Sequence, residues 1–257
     1  MNNLYFIGMI FEGIIIVLIS CLFTLIVIKY NKNRNKLILL LFFLCLNIFL
    51  AIVFSWLSKV LILYSNIDYL YDDSVSDPLT PASWILLRIS DFRISFLFIT
   101  IATIFSYFFK VKLFEKDFKK FQSFIIMIYG IFTAFFSLVI YQKDNIILDV
   151  FTFFFVFLLM CIVYIPFMKK SIQAYKNTSM RNYRNAFLSL TIMSLSFILV
   201  LFCFLIDRIY ILMGDFGFTL FYFMGWIFLI IGILGAYFGY LYFSENKNKD
   251  LKKERER

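Results

Sequence analysis

The sequence predicts an all-α integral membrane protein: a seven-transmembrane-helix bundle with its N-terminus outside and its C-terminus cytoplasmic. Three observations carry this expectation. Seven long apolar runs divide the chain, the loops between them alternate basic and acidic, and 63% of the residues are hydrophobic with a mean hydropathy of +0.90. Soluble domains use roughly 45–50% apolar residues. A chain of 257 residues fits seven spans with short loops and leaves no room for a folded soluble domain. It therefore divides into a transmembrane domain over 1–243 and a charged cytoplasmic tail over 244–257.

The spans follow in order. The first, about Leu4 to Ile28, has no basic start and carries its positive charge afterwards, the opposite of a secretory signal, so it is expected to stay in the mature chain. The second covers about Leu37 to Tyr64. A long acidic stretch follows, with Asp68, Asp72, Asp73 and Asp77, and Pro78 and Pro81 stop any helix there. The third span runs from about Trp84 to Phe109, the fourth from Phe121 to Tyr141 and the fifth from Ile147 to Phe167. The sixth covers Ala186 to Ile206 with room to continue to Met213, and the seventh extends from Phe218 to Phe243. At 1.5 Å rise per residue each reaches across a hydrocarbon core of about 30 Å.

Charge placement sets the orientation. Twenty of the 25 Lys and Arg lie in four segments, Lys29–Lys36, Lys110–Lys120, Lys169–Arg184 and Lys247–Arg257, which follow the first, third, fifth and seventh spans. Basic residues close to span ends stay on the cytoplasmic side. The net charge of +9 is thus split among short membrane-flanking loops, where anionic lipid headgroups are the expected partner and nucleic acid is not.

Composition also removes chemistries. The chain contains no His, which excludes imidazole metal sites, haem ligation and His-based acid–base catalysis. Its four Cys (Cys21, Cys45, Cys161, Cys203) lie inside apolar runs and read as packing residues. No carboxylate pair or Ser/Lys arrangement has the spacing of an active site. The expectation is a protein without metal or cofactor, and not an enzyme.

Small residues predict the faces turned inward, because spanning helices associate through close backbone approach and a few polar bonds. At 100° per residue, Gly225, Gly232, Gly235, Ala236 and Gly239 share one third of the seventh helix. Gly130, Ala134 and Ser137 align in the fourth, Ser189, Ser196, Cys203 and Asp207 in the sixth, and Asn47, Ala51, Ser55 and Ser58 in the second.

Eight charges remain near or within spans: Glu12, Lys59, Arg88, Asp91, Arg93, Asp149, Asp207 and Arg208. All fall in the outer half of the membrane, with Glu12 and Arg93 deepest, each roughly 13 Å below the outer end of its span. A charge at that depth costs about 2.5–3.5 kcal/mol unless it pairs or faces water. The third span is polar on two sides, with Arg88, Asp91, Ser95, Ala102 and Ser106 on one and Arg93, Thr100 and Tyr107 on the other, and is expected at the centre. All eight charges are candidate ligand-binding residues in an outward-facing pocket bounded by spans one, two, three, five and six. There Arg88 and Arg93 are suited to a carboxylate or phosphate. The alternative is structural pairing of Glu12 with Arg93 and of Arg88 with Asp91.

Seven spans with the N-terminus outside resembles the layout of G-protein-coupled receptors and microbial rhodopsins. That likeness covers architecture alone, because the seventh span between Phe218 and Phe243 has no Lys for retinal and no Pro, and the inner end of the third reads Ser106, Tyr107, Phe108, Phe109, Lys110 in place of an Asp-Arg-Tyr-type triplet. The functional expectation is a receptor- or sensor-like protein of the cell membrane that works through a cytoplasmic signalling partner. The alternative is a small secondary transporter of a polar or anionic solute. A green fluorescent protein fused behind Phe243 is expected to fluoresce in the cytoplasm, and alkaline phosphatase inserted at Asp72 to be active outside; the reverse pattern would invert the topology.

Overall fold

The computed structural model describes residues 2–65, 80–114, 120–140, 145–215 and 217–255. These form eight α-helices and one π-helical segment, with no strand among the described residues. The helices are α1 (Asn2–Asn33), α2 (Lys36–Tyr64), α3 (Pro81–Ser90), α4 (Arg93–Phe114), α5 (Lys120–Phe135), α6 (Ile146–Asn177), α7 (Arg181–Leu212) and α8 (Leu220–Arg255), and the π-helix is Phe136–Ile140. Seven of these units, all but α3, are long and apolar enough to cross a membrane, α5 counting together with its π-helical end. The chain is a multi-pass helical-bundle membrane protein. The acidic stretch with Asp68, Asp72, Asp73 and Asp77, and the cations Lys116, Lys119, Lys143 and Arg257, lie outside the described residues.

Local chemistry sets the helix boundaries. Arg34 takes a left-handed φ of 37° between α1 and α2, and Asn35 caps α2 by accepting from the Leu37 N–H. Thr80 and Ser83 form a reciprocal capping box ahead of α3, whose first residue is Pro81. Asn145 accepts from the Leu148 N–H at the start of α6. α8 continues without a break beyond Phe243 to Arg255.

The third apolar run departs from expectation. It is one helix in the sequence pattern but two in the structure, interrupted at Asp91 and Phe92, where Phe92 adopts φ 63°. The 22-residue α4 alone reaches about 33 Å, a full hydrocarbon thickness. Arg93 is therefore the first residue of its membrane-length helix, not a residue two turns inside it.

The core lies where the small-residue faces meet. Gly225, Gly232, Gly235 and Gly239 are all buried, as are Ala236, Asn47, Ala51, Ser55 and Ser58, so the inward assignments of α8 and α2 hold. On α7 Ser196, Cys203 and Asp207 are buried and Ser189 is half-buried. The α7–α8 contact is the most extensive in the bundle. It is closest at Gly235, where a Cβ would stand 2.8 Å from the Ser189 carbonyl oxygen and 3.1 Å from the Met193 nitrogen. Opposite faces are apolar and exposed, as on α1 (Ile10, Ile14, Val17) and α5 (Phe121, Phe124, Ile128, Ile131), the pattern that lipid tails solvate. Hydroxyls within spans mostly bond one turn back along their own helix, as Thr103 does to Ile99 and Thr152 to Leu148.

Because backbone atoms cannot yield as a side chain would, Gly235→Leu is expected to cost at least about 1–3 kcal/mol and to reduce folded yield sharply. Gly13→Ala, whose new Cβ would meet only Trp56 Nε1 at 3.6 Å, is expected to be tolerated. Thermal unfolding in detergent, followed by size-exclusion fluorescence, checks both.

Candidate functional site: a capped interhelical cavity

A cavity of about 80 Å³ runs between α2, α4, α6, α7 and α8, and most of its lining is hydrocarbon. Ile48, Ala51 and Ile52 of α2 face Phe96, Ile99 and Ala102 of α4, with Phe153 and Met160 of α6, Val200 and Leu201 of α7, and Trp226 and Leu229 of α8 completing the walls. At its charged end stand Ser55, Phe92, Ser95, Asp207, Arg208 and Tyr222. Tyr164 lines the cavity as well, with its hydroxyl 2.5 Å from Ser106 Oγ. The boundary differs from expectation in two respects: α8, the seventh span, supplies a wall, and α1 supplies none.

Three charge groups surround the mouth, and they are not the expected pairs. Glu12 is fully buried and pairs with Lys59, not with Arg93: Lys59 Nζ lies 2.8 Å from Glu12 Oε1. The same oxygen accepts from Ser55 Oγ at 2.9 Å and from Tyr222 Oη at 2.5 Å, while Glu12 Oε2 has no partner. Three helices, α1, α2 and α8, thus meet at one carboxylate oxygen. The physical reason is rotational: Glu12 projects from the face of α1 turned toward α2 and α8, and α4 begins only at Arg93, alongside the start of α6.

The second group is a triad. Arg93 Nη2 binds Asp149 Oδ1, and Arg208 Nη1 lies 3.4 Å from Asp149 Oδ2. Two guanidinium groups share one carboxylate. The third group is a helix start: Asp207 Oδ1 accepts from the Thr219 N–H at 2.9 Å and from Thr219 Oγ1 at 2.7 Å, holding the first turn of α8.

Arg88 and Asp91 stand apart from the cavity lining. Arg88 donates from Nε to the Leu138 carbonyl oxygen at 3.2 Å, in the π-helical segment, and its guanidinium lies 4.2 Å from the Trp84 ring centre. Asp91 occupies the C-cap position of α3. Of the eight sequence candidates, Asp207 and Arg208 line the cavity directly. Glu12 and Lys59 reach it through Ser55 and Tyr222, and Arg93 and Asp149 through Arg208.

Aromatic residues that the sequence did not single out complete the mouth. Lys59 Nζ lies 4.5 Å from the Phe92 ring centre, 5.6 Å from Tyr222 and 5.9 Å from Phe218, a cation–π cage around a buried ammonium. Phe92 and Phe218 both have positive φ, 63° and 54°. A bulky residue held there stores roughly 1–3 kcal/mol of strain. Both strained positions aim a ring at the same cation, and Phe92 also meets Arg208, whose guanidinium carbon is 5.5 Å from its ring. Gly8 permits this approach, since a Cβ there would lie 2.7 Å from the Phe218 ring and 3.2 Å from Lys59 Cε. In so Phe-rich a chain no compositional signal distinguishes these two Phe from the other 35, although Tyr222 does fall one turn from the Gly225 stripe.

Among the described residues no cluster of His, Cys, Asp and Glu has the spacing to hold a metal ion. No family model, curated protein or solved structure was found to match this chain.

The buried pair has a double-mutant signature. Lys59→Met strands the Glu12 carboxylate and is expected to cost about 3–5 kcal/mol. Adding Glu12→Gln is expected to restore roughly half of that or more, as read from unfolding midpoints in detergent; equal, additive losses would mean that the two do not act as a pair.

Proposed function

We propose that this membrane protein is receptor- or sensor-like: it sits in the cell membrane with its N-terminus outside, binds a small molecule in the capped cavity, and signals through a cytoplasmic protein partner. On this reading it is not an enzyme. The observation that carries the proposal is the asymmetry of the cavity, whose charged and strained groups gather at one end while the other end is closed by packed aromatic residues such as Tyr164 and Phe197. The positive-inside rule puts the charged end outside and the basic loops and tail inside. Anionic headgroups at those basic loops would hold the inner surface against the bilayer.

A small secondary transporter of a polar or anionic solute is the second reading, and the break at Asp91–Phe92 favours it, since discontinuous helices are a common way for transporters to build binding sites. Such breaks lie near the bilayer midplane. Here the break falls at the end of a helix already long enough to cross, so it shapes the mouth and leaves the span whole. That geometry supports the receptor reading over the transporter.

Access from the two sides separates them. In a chain whose four Cys are replaced by Ala, a Leu201→Cys variant is expected to react with a membrane-impermeant maleimide from outside only. Labelling from both faces of inside-out and right-side-out vesicles would show alternating access and establish the transporter.

A further inference from the structure

Hydroxyls within the spans mostly donate to a carbonyl oxygen one turn back, as Thr103, Thr152, Thr191 and Ser194 do, and Ser95 does not. Its Oγ, on a residue only 5% exposed, lines the cavity and has no hydrogen-bond partner. The cause lies in the fold. Ser95 is the third residue of α4, so the turn behind it is the break at Asp91 and Phe92. The other polar groups of the lining are committed: Ser55 and Tyr222 donate to Glu12, Thr103 bonds to the Ile99 carbonyl oxygen, Tyr164 bonds to Ser106, Asp207 holds Thr219, and Arg208 faces Asp149. A buried hydroxyl stripped of water gains from any oxygen that enters beside it.

Charge does not choose the occupant. Around the mouth Lys59, Arg93 and Arg208 stand against Glu12, Asp149 and Asp207, three of each sign, and Asp207 lies in the lining next to Arg208. An ion of either sign meets repulsion there as well as attraction, and a neutral molecule meets neither. Size narrows the choice further. An apolar protein cavity of about 150 Å³ holds benzene with its six carbons, so the 80 Å³ here holds roughly three or four non-hydrogen atoms. Water matches the space poorly, because a buried water bonds about three polar partners and Ser95 offers one among hydrocarbon walls.

We propose that the cavity binds a small uncharged alcohol, ketone or aldehyde of roughly three or four non-hydrogen atoms, whose oxygen accepts from Ser95 Oγ and whose carbons lie against the apolar walls. This rests on the reading of the cavity as a ligand site and names its ligand class. The walls supply the affinity, and the single hydroxyl fixes the orientation. A ligand of about four non-hydrogen atoms binds no more tightly than about 40 μM, so occupancy is expected between that limit and the low millimolar range.

Trp226 lines the cavity and is one of three Trp in the chain, so it can report occupancy. The full-length protein with Trp56→Phe and Trp84→Phe, in phosphatidylcholine nanodiscs, is titrated with dibromomethane, a quencher small enough to enter. Saturable quenching of Trp226 is expected, and propan-1-ol and acetone are expected to reverse it by displacement. Ser95→Ala is expected to weaken displacement by propan-1-ol about fivefold, the scale of one neutral hydrogen bond, while leaving displacement by 1-chloropropane unchanged. Because the Ser95 hydroxyl has no protein partner, the same variant is expected to keep its unfolding midpoint. Hexan-1-ol, too long for the space, is expected not to displace the quencher. Ala51→Leu and Ala102→Leu, which each add three carbons to facing walls, are expected to abolish saturation. Propan-1-ol displacing equally well from the Ser95→Ala variant, or hexan-1-ol displacing more strongly than propan-1-ol, would overturn the ligand class and leave the cavity reading standing. Quenching that never saturates and persists in both filled variants would reflect partition into the bilayer, and would overturn the class and the site together.

Discussion

One carboxylate oxygen organises the charged end of this bundle. Glu12 Oε1 receives an ammonium, a serine hydroxyl and a tyrosine hydroxyl, and so joins α1, α2 and α8 at a single point. α1 needs such an anchor, since its long apolar faces are as soluble in lipid as in the bundle. A carboxylate and an ammonium removed from water bind each other strongly only when the remaining donors and acceptors are also matched, and here two hydroxyls supply that matching. The same bonds shape the cavity. Ser55 and Tyr222 belong to its wall, yet their hydroxyls are drawn to Glu12, which leaves the space beside them apolar.

The strained residues follow from that anchor. A buried ammonium with one carboxylate still benefits from the negative faces of aromatic rings, and Phe92 and Phe218 supply them from positions where the backbone must take a left-handed turn. The turn at Phe92 is also what separates α3 from α4. Breaking the third run is thus coupled to caging Lys59, and it places Arg93 at the level of Asp149, close enough to share that carboxylate with Arg208.

The parts of this structure legible in the sequence were those with a local signature. Seven membrane-length units follow from apolar run length, and the inward faces of α2 and α8 follow from the spacing of Ser55 and Ser58 or of Gly232, Gly235 and Gly239. Ion-pair partners have no such signature. Whether Glu12 meets Lys59 or Arg93 depends on how α1 is rotated against its neighbours and on where the third run breaks, and neither leaves a period in the chain. Asp91–Phe92 contains neither Gly nor Pro, so the interruption was invisible, and with it the reassignment of Arg93. The role of α8 as a cavity wall was hidden for a similar reason: its Gly stripe marks contact with α7, while Tyr222, Trp226 and Leu229 on the adjoining strip look like ordinary packing residues.

α8 runs as one helix from Leu220 to Arg255, about 54 Å by its rise. Tyr222, near its beginning, holds Glu12, and its far end is the charged segment that follows the last apolar turn. With no Pro and no hinge between them, the segment has nowhere to absorb a torsion applied at Tyr222. A few degrees of axial roll at the cavity would turn the far end of the helix through the same angle, as a drive shaft turns both of its ends.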